Sequence, residues 1–367
     1  MRINRKVIAF AVFIAGAARW CDAADPIKLT VGYQPYDTIS YSAAVIRANE
    51  LWKKYLPPGS QVDFEAALQG SIIVNQMLAG KQQIGYLGDM PAVVATTKRQ
   101  QAGINLVANT GFSPGQRCNV IMVRADAPDF KSVDEAIKWL DGKTIATPKG
   151  SCADRFLGNV ISQTHIKPAA VMNQSLEVLS TNLRAKKIDA AVLWEPTASR
   201  IGNLVGEGIA KYVATGNSFG IPDSGYIAMR EDLIAQRPDI VEAWLKTELE
   251  AQRFVLDPVN ATKVAEIVKS QTQGITVPMA WFSLYGAIPA SAGGSPIRDE
   301  KPFVFEDRVH KQLDSIYKFL HESKVIDVDK APSGALDDSV ARKVAKSAGA
   351  PLPLGTIKAQ DVSRAPK

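Results

Sequence analysis

Lys143-Thr-Ile-Ala-Thr-Pro-Lys-Gly-Ser-Cys-Ala-Asp-Arg-Phe156 is the stretch whose reading decides the fold. Thr144 to Thr147 reads as a short buried strand, Pro148-Lys149-Gly150 as a turn, and a helix starts near Ser151. Gly150 lets the backbone approach closely, and the first N–H groups of the helix point back toward the space that the strand ends face. A helix start carries about half a positive charge. With the Ser151 hydroxyl and Lys149 beside it, this turn can receive an anion or a polar group. The same residues admit a plainer role, in which Ser151 caps its own helix and Asp154 completes an imperfect capping box. Other strand-to-helix turns in the chain look alike, and that repetition argues for a shared rim.

On either side the pattern continues. Before it, Asn119 to Val123 reads as a strand, and Ser132-Val-Asp-Glu135 is a capping box that opens a helix ending before Gly142. After it, the helix runs to about His165 and Leu176 to Lys187 is helical. Asp189-Ala-Ala-Val-Leu-Trp194 is a buried strand that emerges at Glu195-Pro196, and Lys211 to Thr215 is one more strand.

Further upstream, Lys28 to Gly32, Gln61 to Ala66, Ile84 to Gly88 and Leu106 to Gly111 alternate with helical segments, the pattern of a parallel, doubly wound sheet. Pro91 sits where a first-turn proline belongs. Ligands of such sheets lie outside the carboxyl ends of the strands. Here those ends hold Gln34 to Asp37, Gln69 to Ser71, Gly88 to Met90, and Thr110 to Phe112.

Downstream of Gly225 the style changes. Tyr226 to Met229 is a strand, and helices follow over Pro238 to Leu256, Ala261 to Gln271 and Met279 to Tyr285. Val309, Leu313, Ile316 and Leu320 then mark an amphipathic helix. Residues 331–367, rich in Ala, Pro and Lys, read as a loosely held tail with little to bury.

With 367 residues, two domains is the natural prior. No interior apolar run is long enough to span a bilayer. Met1 to Lys6 is a charged n-region, Val7 to Ala18 an apolar segment, and Cys21 and Ala23 fit a small-residue cleavage site. Residues 1–23 therefore read as a secretory signal, and the chain as an exported protein. Arg2, Arg5, Lys6 and Arg19 against Asp22 give that segment +3; removing it from the chain's +6 leaves +3. With no basic stripe carrying interleaved aromatics, nucleic acid is not an expected partner.

Removal of the signal leaves two cysteines, Cys118 and Cys152. In an oxidising compartment an even pair suggests a disulfide; two buried free thiols are the alternative.

Gly216-Asn-Ser-Phe-Gly220 matches the pattern around a hydrolase nucleophile, which must sit on a sharp strand-to-helix turn. Ile221-Pro-Asp-Ser-Gly225 cannot start that helix promptly. His165, His310 and His321 form no metal or triad motif, and there is no nucleotide-binding glycine loop, so no catalytic residue, metal or cofactor is expected. Asn173-Gln-Ser175 and Asn260-Ala-Thr262 are glycosylation sequons, meaningful in a eukaryotic secretory pathway. Trp194 is either core or a flat wall for a ligand. Glu195 can cap a helix, meet a ligand amine or stabilise a hinge. Arg117, between the two units, is either a surface cation or an anion anchor.

Gly70-Ser71 with Leu78-Ala79-Gly80, Ile84-Gly85-Tyr86 and Gly88-Asp89-Met90-Pro91 resembles the nitrate/sulfonate/taurine-type periplasmic binding proteins of ABC importers, within the superfamily that includes thiamine-pyrimidine binding proteins. Val120 to Arg124, Lys149-Gly150-Ser151, Asp189 to Pro196 and Gly225 to Arg230 continue the likeness, which covers about Ile27 to Ala290. It implies a two-lobe α/β fold of the type II periplasmic-binding-protein class, each lobe a sheet flanked by helices and joined to the other by two crossover strands.

Lobe I would comprise 27–116 and 223–330, and lobe II 117–222, with crossovers near Arg117 and Pro222. A Cys118–Cys152 bridge then becomes geometrically reasonable at the cleft rim. The likeness places ligand contacts at Gln34, Tyr36, Gln69, Gly70, Asp89, Met90, Ser151, Trp194 and Glu195, with Cys152 and Arg117 beside them. Ser151 would hold an anionic end, Trp194 and Tyr36 would sandwich the body, and Asp89 or Glu195 would meet a cationic end.

Cys152, Asp154 and Arg155 depart from the small or aromatic residues that sulfonate binders often carry there. The implied function is capture of a small, anionic solute and delivery to an ABC permease by a monomer without enzymatic chemistry. Three rivals remain: a same-fold pyrimidine synthase, a hydrolase using Ser218, and a sensor-linked binding protein.

Overall fold

A computed structural model describes residues 25–367; the secretory signal expected at 1–23 lies outside the described residues. In chain order, β1 (Lys28–Tyr33), α1 (Tyr41–Asn49), β2 (Gln61–Ala66), α2 (Gly70–Leu78), β3 (Ile84–Gly88), α3 (Asp89–Thr97) and β4 (Ile104–Ser113) build the first unit. The second holds β5 (Val120–Arg124), α4 (Val133–Trp139), β6 (Thr144–Thr147), α5 (Cys152–Thr164), β7 (Ala170–Asn173), α6 (Leu176–Arg184), β8 (Ala190–Leu193), α7 (Thr197–Ile201) and β9 (Ala210–Thr215). The chain then returns through β10 (Asp223–Arg230), α8 (Glu231–Gln236), α9 (Pro238–Leu256), α10 (Ala261–Ser270), α11 (Val277–Tyr285), β11 (Ile297–Lys301), α12 (Asp307–Glu322), α13 (Ser339–Ser347) and β12 (Gly355–Lys358).

Seven strands form the first sheet in the order β12-β11-β4-β10-β3-β1-β2, and five form the second, β7-β6-β8-β5-β9. Alternation along the strands sends side chains to two layers. Leu29, Val31 and Tyr33 of β1 join the core shared with α1, α9 and α10, while Leu87 of β3 joins Ile73, Met77, Val93 and Ile316 on the face covered by α2, α3 and α12.

Two sequence expectations change here. The first sheet is mixed rather than parallel: β1 pairs parallel with β2 and β3, but β10 lies between β3 and β4, antiparallel to both. The returning strand enters the sheet beside β4, the strand from which the chain left. Nor is 331–367 a loose tail. β12 pairs antiparallel with β11, and α13 packs on α9 with Ala341, Val344 and Ala345 buried. Three small residues at helical spacing suffice for one face, and the strand is held through its backbone, so neither leaves a strong apolar signal.

Candidate functional site

The carboxyl ends of β1 and β3 and the start of α2 face the β6–α5 turn and the end of β8 across a cleft of about 380 Å³, counted to its open mouth. Gln34, Asp37, Gln69, Gly70, Ser71, Gly88 and Pro91 line one wall, and Lys149, Gly150, Ser151, Cys152 and Trp194 the other. Two polar contacts bridge the walls: Arg155 of α5 pairs with Asp89 of α3 at 2.7 Å, and the Trp194 indole N–H donates to the Tyr36 carbonyl at 3.1 Å. Cys118, just before β5, is disulfide-bonded to Cys152, with Cα atoms 6.0 Å apart.

α2 and α5 start at this space from opposite walls, and α3 starts beside α2 at Gly88. At α5, Ser151 Oγ accepts from Asp154 N at 3.3 Å and donates to Pro148 O at 2.6 Å, and the Asp154 carboxylate accepts from Gly150 N at 2.9 Å. Gly150 is in the left-handed region, φ 75°, which a glycine adopts without strain. The plainer role of Ser151, a helix cap, is therefore present in the bonding. At α2, Gln69 makes no side-chain cap bond, so the N–H groups of Gly70 and Ser71 have no acceptor within the helix. A Cβ on Gly70 would lie 2.5 Å from Pro91 Cγ; glycine allows α2 to meet α3 this closely.

The remaining expected contacts divide. Gln34 lines the cleft, its amide donating to Tyr86 O at 3.3 Å. Tyr36 lies outside the residues that line the cleft, and its hydroxyl turns to Gln273, accepting from Gln273 N at 2.6 Å. Asp89 is fully buried, taking Met90 N on one oxygen and Arg155 and Gln312 on the other. Met90 is core, and its outer side meets a separate groove beside Leu157 and Phe319. Glu195 accepts from Ser199 and Tyr212 and lies 3.7 Å from Arg298; burial raises its carboxyl above the usual range although Arg298 opposes this.

Arg117 is neither exposed nor an anion anchor: it is sealed between Asp223 at 3.1 Å and Asp299 at 3.3 Å. These polar residues entered ion pairs because a buried charge is stable only when paired. Ser218 sits in a single 3-10 turn, Gly216–Phe219, which ends at Gly220 instead of opening a helix. Among the described residues no group of three or more His, Cys, Asp or Glu could hold a metal ion.

Asp37 sits on the rim that the sequence places at the strand ends, but it carries no ligand role in the sequence reading. It is 4% exposed, and Oδ1 accepts from Ile39 N at 3.1 Å. Burial pushes its carboxyl up to about 7, against the opposing pull of the Ile39 N–H and Arg117. Its signal was an Asp at a strand's carboxyl end, followed by Thr38-Ile39-Ser40, a pattern that also reads as an ordinary turn cap.

Two α/β sheets that exchange the chain twice and enclose one cleft define a periplasmic-binding-protein fold of the two-lobe, type II class. Residues 22–269 match the NMT1-like family, and the chain belongs to it. It is 25% identical over 254 residues to the taurine-binding periplasmic protein of Escherichia coli (strain K12), covering 66% of this chain and 74% of that one. In structure it is similar to the alkanesulfonate-binding protein SsuA from Xanthomonas axonopodis pv. citri bound to MOPS, at 19% identity and TM-score 0.66, covering 86% of this chain and 99% of that one. It is likewise similar to the periplasmic nitrate-binding protein NrtA from Synechocystis PCC 6803, at 12% identity and TM-score 0.69, covering 89% and 90%.

Proposed function

We propose that this chain is an exported solute-binding protein that captures a small anionic molecule in the cleft and delivers it to an ABC permease. The observation that carries the reading is the uncapped start of α2: Gly70 and Ser71 offer N–H donors at the positive end of a nine-residue helix, with Lys149 across the cleft. Names of the relatives favour a sulfonate, taurine-like molecule or an inorganic anion. The α5 end contributes less, because the Asp154 carboxylate already occupies its positive pole.

Capture requires no covalent step. The two crossovers, near Arg117 and Pro222, act as the hinge, and a ligand that binds the closed state better shifts the population toward it. The permease then reads closure. Lobe I comprises 27–116 with the chain from 223 onward, and lobe II 117–222.

Thermal unfolding of the mature protein tests this against nitrate, bicarbonate, taurine, alkanesulfonates, aromatic acids and pyrimidines. A ligand at about a thousand times its Kd adds roughly 4 kcal/mol, which raises Tm by several degrees. At least one anion is expected to do so. Silence across the panel after dialysis and refolding would count against an anion-binding role.

A further inference from the structure

Asp37 is a buried carboxylate in the wall of a cleft, and among the described residues no lysine, arginine or histidine pairs with it. The charged groups that act on it are engaged elsewhere. Arg117, on the segment between β4 and β5, is held by Asp223 of β10 and Asp299 of β11, and Asp89 of α3 is held by Arg155 of α5. Among the described residues that line the cleft the one cation is Lys149, on the opposite wall and exposed to solvent. Asp37 Oδ1 caps its own turn through Ile39 N–H. A second carboxylate oxygen remains for whatever enters.

A buried carboxylate without a cation is unfavourable unless a partner arrives or a proton does. Where no cation is present a proton can serve, consistent with a carboxyl that burial pushes up to about 7. A ligand that carried only negative charge would leave this group facing it. One that carried a cation would satisfy it.

We propose that Asp37 is the cation subsite of the cleft, and that the ligand is a small zwitterion whose ammonium meets Asp37 while its anionic end lies at the start of α2. The inference rests on the solute-binding reading and deepens it. It also relocates the cationic subsite, since Asp89 and Glu195 are both sequestered. The proposal fixes the sign of a proton linkage. An ammonium beside Asp37 favours its ionised form, so binding near pH 7 releases a proton. An anion without an amine favours the neutral form, so its binding takes one up.

The test uses the full mature protein and calorimetric titration at pH 7 in two buffers of different ionisation enthalpy. The probes are 2-aminoethanesulfonate against ethanesulfonate, and 3-aminopropanoate against propanoate. In the wild type the amino member of at least one pair is expected to bind tenfold tighter or more, with net proton release, whereas the partner without the amine takes protons up. Asp37→Asn is expected to abolish the amine preference and the proton release, and to strengthen binding of the plain anion. Anion binding by Asp37→Asn shows that the variant is folded, and the wild-type proton count needs no variant.

Anions bound with no preference for the amine would overturn this inference while leaving the solute-binding reading in place. So would an amine preference that survives Asp37→Asn, or proton uptake with the amino ligand. If no member of either pair binds, the inference falls, and the wider panel decides whether the anion-binding reading falls with it.

Discussion

The N-termini of α2 and α5 face the same cleft from opposite walls, yet they differ in what they leave open. α5 is closed by its own residues: Ser151 Oγ takes Asp154 N, and the Asp154 carboxylate takes Gly150 N. α2 has no side-chain cap and starts on a glycine packed against Pro91. In sequence, α5 looks like the better anion site, since it offers Gly, Ser and Lys in a row. The structure shows that a good capping sequence satisfies the donors a ligand would need. Vacancy for a ligand follows from a missing cap, not from a strong one. Each helix also holds its wall differently: α5 crosses the cleft through a buried ion pair, and α2 sits by close contact of a glycine with a proline.

The comparison is tested most severely at Arg155. Removing its guanidinium in Arg155→Ala leaves Asp89 buried with Gln312 as its remaining side-chain donor. Loss of one partner of a buried pair typically destabilises by about 3–5 kcal/mol. Urea unfolding should show that loss, and scattering in solution should report a more open pair of lobes. A variant that stays closed and loses under about 1 kcal/mol would mean that the pair does not hold α5 against α3.

Next in size is a pair of glycines that ask different things of the backbone. Gly70 needs space, since an added Cβ meets Pro91 Cγ at 2.5 Å. Gly150 needs a positive φ, and a Cβ there meets nothing within 4 Å. Gly70→Ala should therefore shift α2, lowering stability by about 1–3 kcal/mol and weakening anion binding tenfold or more. Gly150→Ala should lower stability by about 1–2 kcal/mol with affinity changed less than threefold. Equal losses of affinity at the two sites would show that α5, too, grips the ligand.

The sequence carried what local chemistry writes. Strand, turn and helix at Lys143 to Phe156 followed from Gly150, Ser151 and the apolar run before them, and the structure has β6, the turn and α5 there. The helix read over Pro238 to Leu256 is α9 with the same bounds. The rim was legible too, because strand ends in such a sheet share one side. What was not legible is which polar side chains on that rim are free. Asp89 is engaged by Arg155, Arg117 by Asp299 and Glu195 by Arg298, and no local pattern records a partner so distant along the chain. Asp37 was obscured for the opposite reason: a local role as a turn cap was sufficient to explain it.

Ser151→Ala is the smallest change and the one that separates the two readings of the stretch on which the fold was built. The hydroxyl makes two bonds, accepting from Asp154 N and donating its proton to Pro148 O. With its proton committed to a carbonyl of its own turn, the hydroxyl has nothing to donate to an anion without breaking that bond. Its removal should lower stability by about 1 kcal/mol, the usual loss for an N-cap serine, and should shift Kd for the best anion less than threefold. If the hydroxyl instead turned to the ligand, a hydrogen bond to a charged group of about 1.5–3 kcal/mol would be lost, and Kd would rise tenfold or more. Paired unfolding and titration curves on this one variant decide whether the start of α5 is a wall of the cleft or one of its hands.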